Sequence, residues 1–460
     1  MSIKKINVNK ILAIFLFSHL TIWTVIPSIS NDNLPLDVIE AIAWSDGWPL
    51  GWEKHPPLSS WFPGLFFQIF GNQDWSFYFL SQIFVVLSFI VVWKFSEEFF
   101  VNKSFSLLSV LLLEGIYFYN FTTPEFNVNV CQLPFWALSV LYGWRGFKDN
   151  KTIDWLLFGL FAALGILSKY LFIYLLVAMD VFFYYMIIKK KVKLKSFISL
   201  IPFFLVLLPH IVWLTENNYI TLTYGLSRAA IGDLNYLNHL FNPLLFLGKQ
   251  IGILVPFFIM LLFAIDKFKP KFNLGDKKLL FLITINFLPI ILIFFTSLVL
   301  GAKIRTMWMT PFYLFSGVLF IYIFQSKIVL SKMKYFFSIF LILFIFSPTA
   351  YLYVSITQTD KRTDYPGKKI AKIVQENWTN NFKNKIGLVG GDEWHGGNLF
   401  YHLQSKPKWD NIFETKKTTT LKNKEDGIVL IGDVDILSEI CKGFFFKVEN
   451  QGVCMIGVRK

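Results

Sequence analysis

The sequence predicts a polytopic α-helical membrane protein with a small α/β domain at its C-terminal end. Three observations predict this class. The 460 residues are 55% hydrophobic and 19% aromatic, with a mean hydropathy of +0.52, and a soluble domain with so apolar a surface would aggregate. Apolar runs of about 17–25 residues, long enough to cross a bilayer as helix, recur along the chain. After residue 354 the composition becomes polar and rich in lysine.

The apolar runs predict about eleven transmembrane helices. The first run, Ile11 to Ile26, follows a basic start and resembles a signal peptide. No convincing small-x-small cleavage site follows it, so we expect an uncleaved span. The segment 48–75 is rich in Trp and Pro and predicts short helices along the interface. The predicted spans are 10–30, 76–95, 104–121, 128–146, 153–168, 171–188, 197–214, 244–265, 278–299, 305–325 and 335–354.

The lysines predict how these spans are oriented. Lys4, Lys5 and Lys10 place the N-terminus in the cytoplasm, because cytoplasmic loops are enriched in Lys and Arg. If the spans alternate, four further Lys-rich connections are also cytoplasmic: 145–151, 189–195, 266–278 and 327–334. The loops 31–75, 121–127, 215–243 and 300–304 then lie outside, together with the tail. The net charge of +14 follows from this topology, and no basic domain of a nucleic-acid-binding type is present.

This pattern predicts two domains. Residues 1–354 form a transmembrane domain with a large first outer loop, 31–75, and residues 355–460 form a soluble extracytoplasmic domain. In the tail, β-like runs alternate with helical stretches, which predicts a small α/β domain. The runs are 385–390, 427–432 and 453–458, and the helical stretches are 367–377 and 434–441.

The three cysteines give one open alternative. Cys441 and Cys454 lie in the tail. A disulfide in an oxidising compartment and two unpaired small core residues are about equally compatible with their positions. Cys131 lies in a predicted span and is expected to be inert.

The first outer loop carries the candidate catalytic acids. Asp37 and Glu40 follow the first span by a few residues, so they lie just above the lipid surface, where ionisable groups often mark a site. A carboxylate there can act as a general base toward an acceptor hydroxyl that attacks an activated sugar. The same pair also suits the N-terminus of an interfacial helix. The spacing of Asp37 and Glu40 alone does not decide between a catalytic role and a role at the helix N-terminus.

Basic groups on the outer side predict an anionic ligand. The positive-inside rule disfavours cations there, so a lipid phosphate, or pairing with Asp37 and Glu40, has to compensate them. A guanidinium suits a phosphodiester because it binds two oxygens at once. The Pro56-Pro57 turn would aim Lys54 and His55 at the same phosphate, although a structural ion pair also explains them. The outer basic groups are Lys169, Arg228, Lys303 and Arg305.

Further polar side chains on this face are candidates for substrate contacts. Glu125, Asn127 and Asn129 begin the fourth span, and with Glu114 they can point into one cavity, although ordinary interfacial residues explain them equally well. His210 ends a span at the outer face, where a histidine with structural partners is more common than a catalytic one. The chain has no Ser-His-Asp order, HExxH, Walker, DxD or His/Cys metal-binding pattern.

Taken together, these motifs resemble bacterial members of glycosyltransferase family 39. These are polyprenyl-phosphate-sugar-dependent transferases of the GT-C fold, related to protein O-mannosyltransferases and to the aminoarabinose–lipid A transferase. The likeness runs in order from about Ile11 to Phe324. It is carried by Asp37-Val38-Ile39-Glu40-Ala41, Gly51-Trp52-Glu53-Lys54-His55-Pro56-Pro57-Leu58, Thr123-Pro124-Glu125-Phe126-Asn127-Val128-Asn129, Leu167-Ser168-Lys169-Tyr170, Pro209-His210-Ile211-Val212-Trp213 and Arg305-Thr306-Met307-Trp308 before Pro311.

The resemblance implies a role for each candidate residue. Asp37 would be the catalytic carboxylate and Glu40 its neighbour. The family often has Asp directly followed by Glu, but Val38-Ile39 intervene here, so the choice of base stays open. Relatives place a second acid in the next outer loop, where this chain offers Glu125. Lys54, Lys169 and Arg305 would hold the donor phosphate, and the implied substrate contacts are His55, Glu125, Asn127, Asn129 and His210.

The implied function is an integral-membrane glycosyltransferase of the bacterial inner membrane. It would move a sugar from a polyprenyl-phosphate donor to a lipid, lipopolysaccharide, glycan or protein acceptor at the outer face, in a single inverting displacement. No cofactor is predicted, although a divalent cation stays open because relatives differ in metal use. A transporter or flippase of lipid-linked sugars and an inactive scaffold are the alternatives. Transporters usually place polar groups near mid-membrane, whereas here they crowd the outer interface. The expected partners are the donor, the acceptor and membrane lipids, without nucleic acid.

Overall fold

The computed structural model describes residues 7–229, 236–329, 332–411 and 426–460. Lys4 and Lys5, which contribute to the predicted orientation, lie outside the described residues, as do parts of the predicted connections 215–243 and 327–334 and of the tail. The chain divides into two compact units. Unit one comprises Met1–Ile26, Leu50–Leu58 and Ser81–Tyr353, and unit two comprises Pro27–Pro49, Ser59–Leu80 and Val354–Lys460.

Helices make up most of the described chain. The α-helices are Val8–Ser30, Leu36–Trp44, Leu58–Phe70, Asp74–Glu97, Lys103–Leu111, Val128–Cys131, Leu133–Asp149, Thr152–Ser168, Ile173–Ile188, Leu200–Glu216, Ile220–Arg228, Asn238–Ala264, Lys277–Leu300, Ser316–Phe324, Met333–Thr357, Gly367–Asn381, His395–His402 and Val434–Ile440. The 3-10 helices are Leu112–Gly115, Tyr117–Tyr119, Tyr170–Phe172, Leu194–Ser199, Thr306–Tyr313, Gln325–Lys327 and Arg362–Asp364.

Seven helices in the described ranges are long and apolar enough to cross a membrane, and each matches a predicted span. A pair of helices bent by 51°, Thr306–Tyr313 and Ser316–Lys327, makes eight if it counts as one span. The polytopic helical class is therefore confirmed, whereas the count of eleven is not. The seven are Val8–Ser30, Asp74–Glu97, Tyr170–Ile188, Leu194–Glu216, Asn238–Ala264, Lys277–Leu300 and Met333–Thr357.

The other three predicted spans form shorter or broken helices. The α-helix that begins at Lys103 ends at Leu111 and gives way to 3-10 turns. The next region is divided at Gln132, where Pro134 begins a new helix, Leu133–Asp149, as proline favours in a first turn. This helix and Thr152–Ser168 have 17 residues each. Such a helix rises about 26 Å, slightly less than a hydrocarbon core of about 30 Å.

A buried histidine–glutamate pair lies inside unit one. His19 Nδ1 is 3.4 Å from Glu114 Oε2, and both side chains are fully buried. Asn120 Nδ2 donates to Glu114 Oε1 at 3.1 Å, and the Ser347 hydroxyl donates to Asn120 Oδ1 at 3.0 Å. These contacts join the first span, the segment after Leu111 and the last span. The side-chain partners of Glu114 in the described part of the chain are therefore His19 and Asn120 and not Asn127 or Asn129, with which it was expected to share a cavity.

Unit two contains a sheet with five strands in the described residues. The strands are β1 Ile386–Gly390, β2 Lys408–Asp410, β3 Gly427–Gly432, β4 Phe444–Val448 and β5 Gln451–Ile456. They lie in the order β2-β1-β3-β5-β4. Strand β1 is parallel to β2 and β3, and β5 is antiparallel to β3 and β4. The predicted small C-terminal sheet domain is confirmed, and β1, β3 and β5 fall on the three predicted runs. The short β2 and the strand β4 were not predicted.

The cysteines settle one alternative left open by the sequence. A disulfide joins Cys441 to Cys454, with 5.7 Å between their Cα atoms, and so links the end of helix Val434–Ile440 to β5. Cys131 is a free, buried thiol with its sulfur 3.5 Å from the Ser168 hydroxyl.

Candidate functional site

A tight turn in unit one presents Lys54 and His55. The Trp52 N–H donates to the His55 carbonyl at 3.0 Å, and the two prolines that follow restrict the backbone. The Gly51 backbone lies against the Trp213 indole, and a Cβ added to Gly51 would be 2.4 Å from that ring. The turn therefore needs glycine at this position to lie so close to the helix that carries Trp213.

His210 holds this turn in place. Its Nδ1 is 2.6 Å from the Leu50 carbonyl, and a carbonyl only accepts, so Nδ1 carries the proton. Nε2 then accepts from the Tyr170 hydroxyl at 2.7 Å. The Thr221 hydroxyl donates to the Trp52 carbonyl at 2.6 Å. Because both ring nitrogens have protein partners and the side chain is buried, the geometry suits positioning of the turn.

Three cations act on His55. Burial is the largest cause that lowers the pKa of His55 from 6.5 to about 3, followed by the positive charges of Lys169, Lys54 and Arg228. The imidazole is therefore neutral near pH 7, and the positive charge around it comes from the two lysines and the arginine. His55 and Lys54 are half-buried and Arg228 is exposed. We call Lys54, His55, Lys169 and Arg228 the cationic cluster, and its net charge suits an anionic ligand.

Lys169 is the most buried member of the cluster, at 6% exposure. The helix Thr152–Ser168 ends just before it, and the Lys169 backbone is extended. Its Nζ is 2.5 Å from Asn129 Oδ1 and 5.3 Å from the centroid of the Trp308 ring. An amide oxygen and an aromatic face both stabilise an ammonium group. Neither of these two groups carries a net charge.

Asn127 has a local structural role. Its Oδ1 accepts from the backbone N–H groups of Asn129 and Val130, at 2.9 and 3.3 Å, and so caps the helix Val128–Cys131. The cap fixes the start of the turn that presents Asn129 to Lys169. Glu125 is half-buried in the preceding loop.

Arg305 is not among the charges that act on His55. It is half-buried, and its carbonyl accepts from the Trp308 N–H at 3.0 Å. The Lys303 N–H donates to the Ala229 carbonyl at 2.9 Å, so this segment runs beside the residue that follows Arg228. The sequence shows Arg228 as an outer cation but does not assign it to the donor phosphate. Only the folded structure brings its charge near His55.

Asp37 and Glu40 lie on a short helix of unit two, Leu36–Trp44. The N-cap is Pro35, which makes no side-chain capping bond, and Asp37 is in the first turn, where the helix dipole stabilises a carboxylate. Residues three apart lie on the same side of a helix. Both acids are half-buried, whereas Val38, Ile39 and the residues from Ala41 to Trp44 are buried. The acids thus occupy the more open side of this helix.

The C-terminal tail supports this helix within unit two. A Cβ added to Gly397 would be 3.0 Å from Ile39 Cγ2, so glycine allows helix His395–His402 to pack closely on the helix with the acids. Asn33, just before that helix, donates to Asn398 Oδ1 at 2.8 Å and accepts from His402 Nε2 at 3.1 Å. Burial and then the Lys368 charge lower the pKa of His402 to about 4. The sequence did not predict this support of the acidic helix by the tail.

No group of three or more His, Cys, Asp or Glu side chains in the described ranges is arranged to hold a metal ion.

Comparison with known proteins identifies the fold. The family model for dolichyl-phosphate-mannose-protein mannosyltransferase matches residues 54–213, the stretch that carries Lys54, Lys169 and His210. ArnT from Cupriavidus metallidurans bound to undecaprenyl phosphate superposes with a TM-score of 0.65 at 12% identity, over 97% of this chain and 98% of that chain. The chain has a GT-C-like fold. The same ArnT in the apo state gives a TM-score of 0.62 at 11% identity, with the same coverage of both chains. No curated protein matches this GT-C-like chain.

Proposed function

We propose that this chain is an integral-membrane glycosyltransferase that takes its sugar from a polyprenyl-phosphate-linked donor. The cationic cluster carries the proposal, because Lys and Arg bind phosphate oxygens through charge-assisted hydrogen bonds. The neutral state of His55 leaves it able to donate or accept a hydrogen bond beside them. The family model and the shared architecture with an ArnT bound to undecaprenyl phosphate support a membrane transferase with such a donor.

The proposed chemistry is a single displacement at the anomeric carbon. Asp37, or Glu40 in its place, takes the proton of the acceptor hydroxyl, and the acceptor oxygen forms the new glycosidic bond. The bond from the anomeric carbon to the donor phosphate breaks, and the anomeric configuration inverts. Lys54, Lys169 and Arg305 stabilise the departing phosphate, and we add Arg228 to this group.

The remaining predicted site residues have supporting roles in the proposal. His55, Glu125 and Asn129 contact the sugar or its phosphate. His210 and Asn127 act through the residues they hold, because His210 fixes the turn that bears Lys54 and Asn127 caps the helix turn that bears Asn129. A divalent cation stays open as a cofactor.

We propose that the protein lies in the bacterial inner membrane with its N-terminus in the cytoplasm. The transmembrane domain would be residues 1–354, and the active site and the domain 355–460 would be periplasmic. The disulfide between Cys441 and Cys454 supports an oxidising compartment for the tail. The acceptor is a lipid, a lipopolysaccharide or other glycan, or a protein.

One observation favours the alternative, a transporter or flippase of lipid-linked sugars. The buried pair His19–Glu114 lies inside the spans, where transporters place proton relays. Its hydrogen bonds through Asn120 to Ser347 equally suit the packing of three helices.

Transfer of radiolabelled sugar in membranes rich in polyprenyl-phosphate-sugars tests the proposal. We expect wild type to label a lipid or glycan, and Asp37→Asn at matched expression to lose about 100-fold or more of the rate, the contribution of a general base. Asp32→Asn, an exposed carboxylate before the helix, is the matched control and should keep the activity.

Three outcomes separate the alternatives. If Asp37→Asn is as active as wild type, Asp37 is not the base, and Glu40→Gln and Glu125→Gln are assayed next. If wild type transfers label from no donor offered, the transferase proposal is wrong. Translocation of a labelled lipid-linked sugar, measured in the same vesicles, would then support the transporter.

A further inference from the structure

Two charged side chains face outward from the middle of membrane-spanning helices of unit one. Asp180 lies ten residues after the start of Tyr170–Ile188, and Lys249 lies eleven residues after the start of Asn238–Ala264. Both side chains are exposed on the surface of the helix bundle. Neither makes a hydrogen bond or an ion pair within the part of the chain that the structure describes. A charged residue at mid-bilayer normally faces the interior and has a partner there.

The two residues lie at matching depths in the bilayer. One span, Leu194–Glu216, separates their helices along the chain, so the two helices cross the membrane in the same direction. Both helices contact the third helix Lys277–Leu300 near its C-terminal end: the Tyr174 hydroxyl donates to the Thr296 hydroxyl at 2.8 Å, and His239 Nδ1 is 2.9 Å from the Leu298 carbonyl. Asp180 follows Tyr174 by six residues, or about 9 Å, and Lys249 follows His239 by ten residues, or about 15 Å. Because Leu298 lies about 3 Å further along its helix than Thr296, the depths of Asp180 and Lys249 agree to about 3 Å. Opposite charges at the same depth are complementary.

The two charges do not pair with each other within one copy. Both helices pack on a third helix, Lys277–Leu300, and not closely on each other. This third helix exposes an apolar strip, with Phe287, Ile291 and Phe295 43–52% exposed.

The helix surface beside Lys249 allows another transmembrane helix to pack closely. Gly248 and Gly252 flank it in the pattern G-x-x-x-G, both are exposed, and a Cβ added to either would meet nothing within 4 Å. Gln250 points inward and accepts from the Tyr313 hydroxyl at 2.7 Å, which fixes the rotation of the helix. Small residues in this pattern let another transmembrane helix approach the backbone closely.

We propose that this face binds a second copy of the same chain within the membrane. In a two-fold dimer, residue i of one copy contacts j of the other, and j contacts i. Asp180 of each copy therefore pairs with Lys249 of the other, and two ion pairs flank the axis. Val177 and Val181, exposed on the side of Asp180, pack over the partner's glycines. The strip on Lys277–Leu300 meets its own copy at the axis.

A two-fold dimer of this kind requires Asp180 and Lys249 to lie at the same depth in the bilayer. A two-fold axis of a membrane dimer runs along the bilayer normal, so every pair of contacting residues lies at one depth. A carboxylate and an ammonium group that are each exposed singly to lipid are costly to insert into the membrane. Pairing them removes much of that cost, and the two charges select this geometry over a rotated one.

Dilution of fluorescently labelled wild type in liposomes, with single-molecule photobleaching to count copies, tests the proposal. We expect dimers, and we expect Asp180→Asn and Lys249→Gln each to weaken association about tenfold or more, since each removes two interhelical contacts of about 1 kcal/mol. Gly252→Leu should also prevent close approach. Gly225→Leu, at another glycine with open space, is the matched control and should dimerise as wild type does.

Charge reversal separates this geometry from any other dimer. Asp180→Lys alone and Lys249→Asp alone should each be monomeric, because like charges then meet at both contacts. A mixture of these two variants should form mixed dimers, because opposite charges meet again at both. A monomeric wild type, unchanged dimers of Asp180→Asn and Lys249→Gln, or a mixture that stays monomeric would each overturn the proposal.

Discussion

At the scale of single residues, the central feature is a neutral histidine among cations. Burial and the positive charges of Lys169, Lys54 and Arg228 lower the pKa of His55, so its imidazole is neutral near pH 7. The cluster therefore contains three positively charged side chains and one uncharged imidazole. A neutral imidazole can share a hydrogen bond with a sugar hydroxyl or a phosphate oxygen without adding to the charge repulsion of the cluster.

The protonation of His55 makes stability depend on pH in a defined window. The pKa of His55 is about 3 in the folded chain and 6.5 in the unfolded chain. Between these values the unfolded chain binds a proton that the folded chain does not, so stability falls as pH falls below 6.5. We expect His55→Gln to flatten this fall, measured as the melting temperature of the purified protein at several pH values from about 7.5 to 4.5.

The control for His55→Gln is a second histidine substitution, His395→Gln. It removes a histidine of the tail whose side chain is 30% exposed, and it leaves the environment of His55 intact. If wild type and His55→Gln lose stability in parallel over this range, His55 is protonated in the folded protein and the cationic cluster is wrongly described.

At the scale of elements, short segments position the site. The turn at Leu50–Leu58 depends on His210, on the Thr221 hydroxyl and on the packing of Gly51 against Trp213. The acids depend on helix Leu36–Trp44, which packs on His395–His402. The long helices provide the frame, while breaks in helices present the functional residues, as at Lys169 and Asn129.

Removing the His210 contacts should disturb the turn. His210→Ala leaves the Leu50 carbonyl and the Tyr170 hydroxyl without this partner, at about 1–3 kcal/mol for each buried group left unpaired. We expect the KM for the lipid-linked donor to rise more than kcat falls, because Lys54 shifts away from the phosphate. Steady-state transfer kinetics measure both.

Tyr170→Phe is the graded control for that experiment. It removes one of the two hydrogen bonds of His210 and keeps the ring, so its effect should be smaller and in the same direction. A fall in kcat with an unchanged KM in His210→Ala would instead indicate that the imidazole acts in the chemical step.

The elements differ in how far the sequence predicts them. The seven long helices were predictable because an apolar run of this length has one stable form in lipid. The broken helices near 104–121 and 128–146 were not, because the tertiary contacts of Glu114 and the local cap formed by Asn127 decide where these helices stop and start. Strand β2 has three residues, too few for a pattern, and it exists because β1 lies beside it.

At the scale of the whole molecule, the sequence predicts the GT-C-like fold and most of the cluster. The sequence identifies Lys54, His55 and Lys169 because the outer loops are otherwise poor in lysine, so cations beside a His-Pro-Pro turn are unusual there. The role of Arg228 required the fold, since 59 positions separate it from Lys169 in sequence. The proposed pairing of Asp180 with Lys249 likewise required the structure, because it depends on the exposure of both side chains and on their similar depth in the membrane.

Binding of undecaprenyl phosphate tests most directly whether the cationic cluster holds a donor phosphate. The melting temperature of the purified protein is measured with this lipid and with undecaprenol, which lacks the phosphate. At about 100 times Kd a ligand adds about 2.7 kcal/mol of stability. We predict a clear shift with undecaprenyl phosphate for wild type, little shift for Lys169→Met, and a wild-type shift for the exposed control Lys372→Met. An equal shift with undecaprenol, or an unchanged shift in Lys169→Met, would contradict the account.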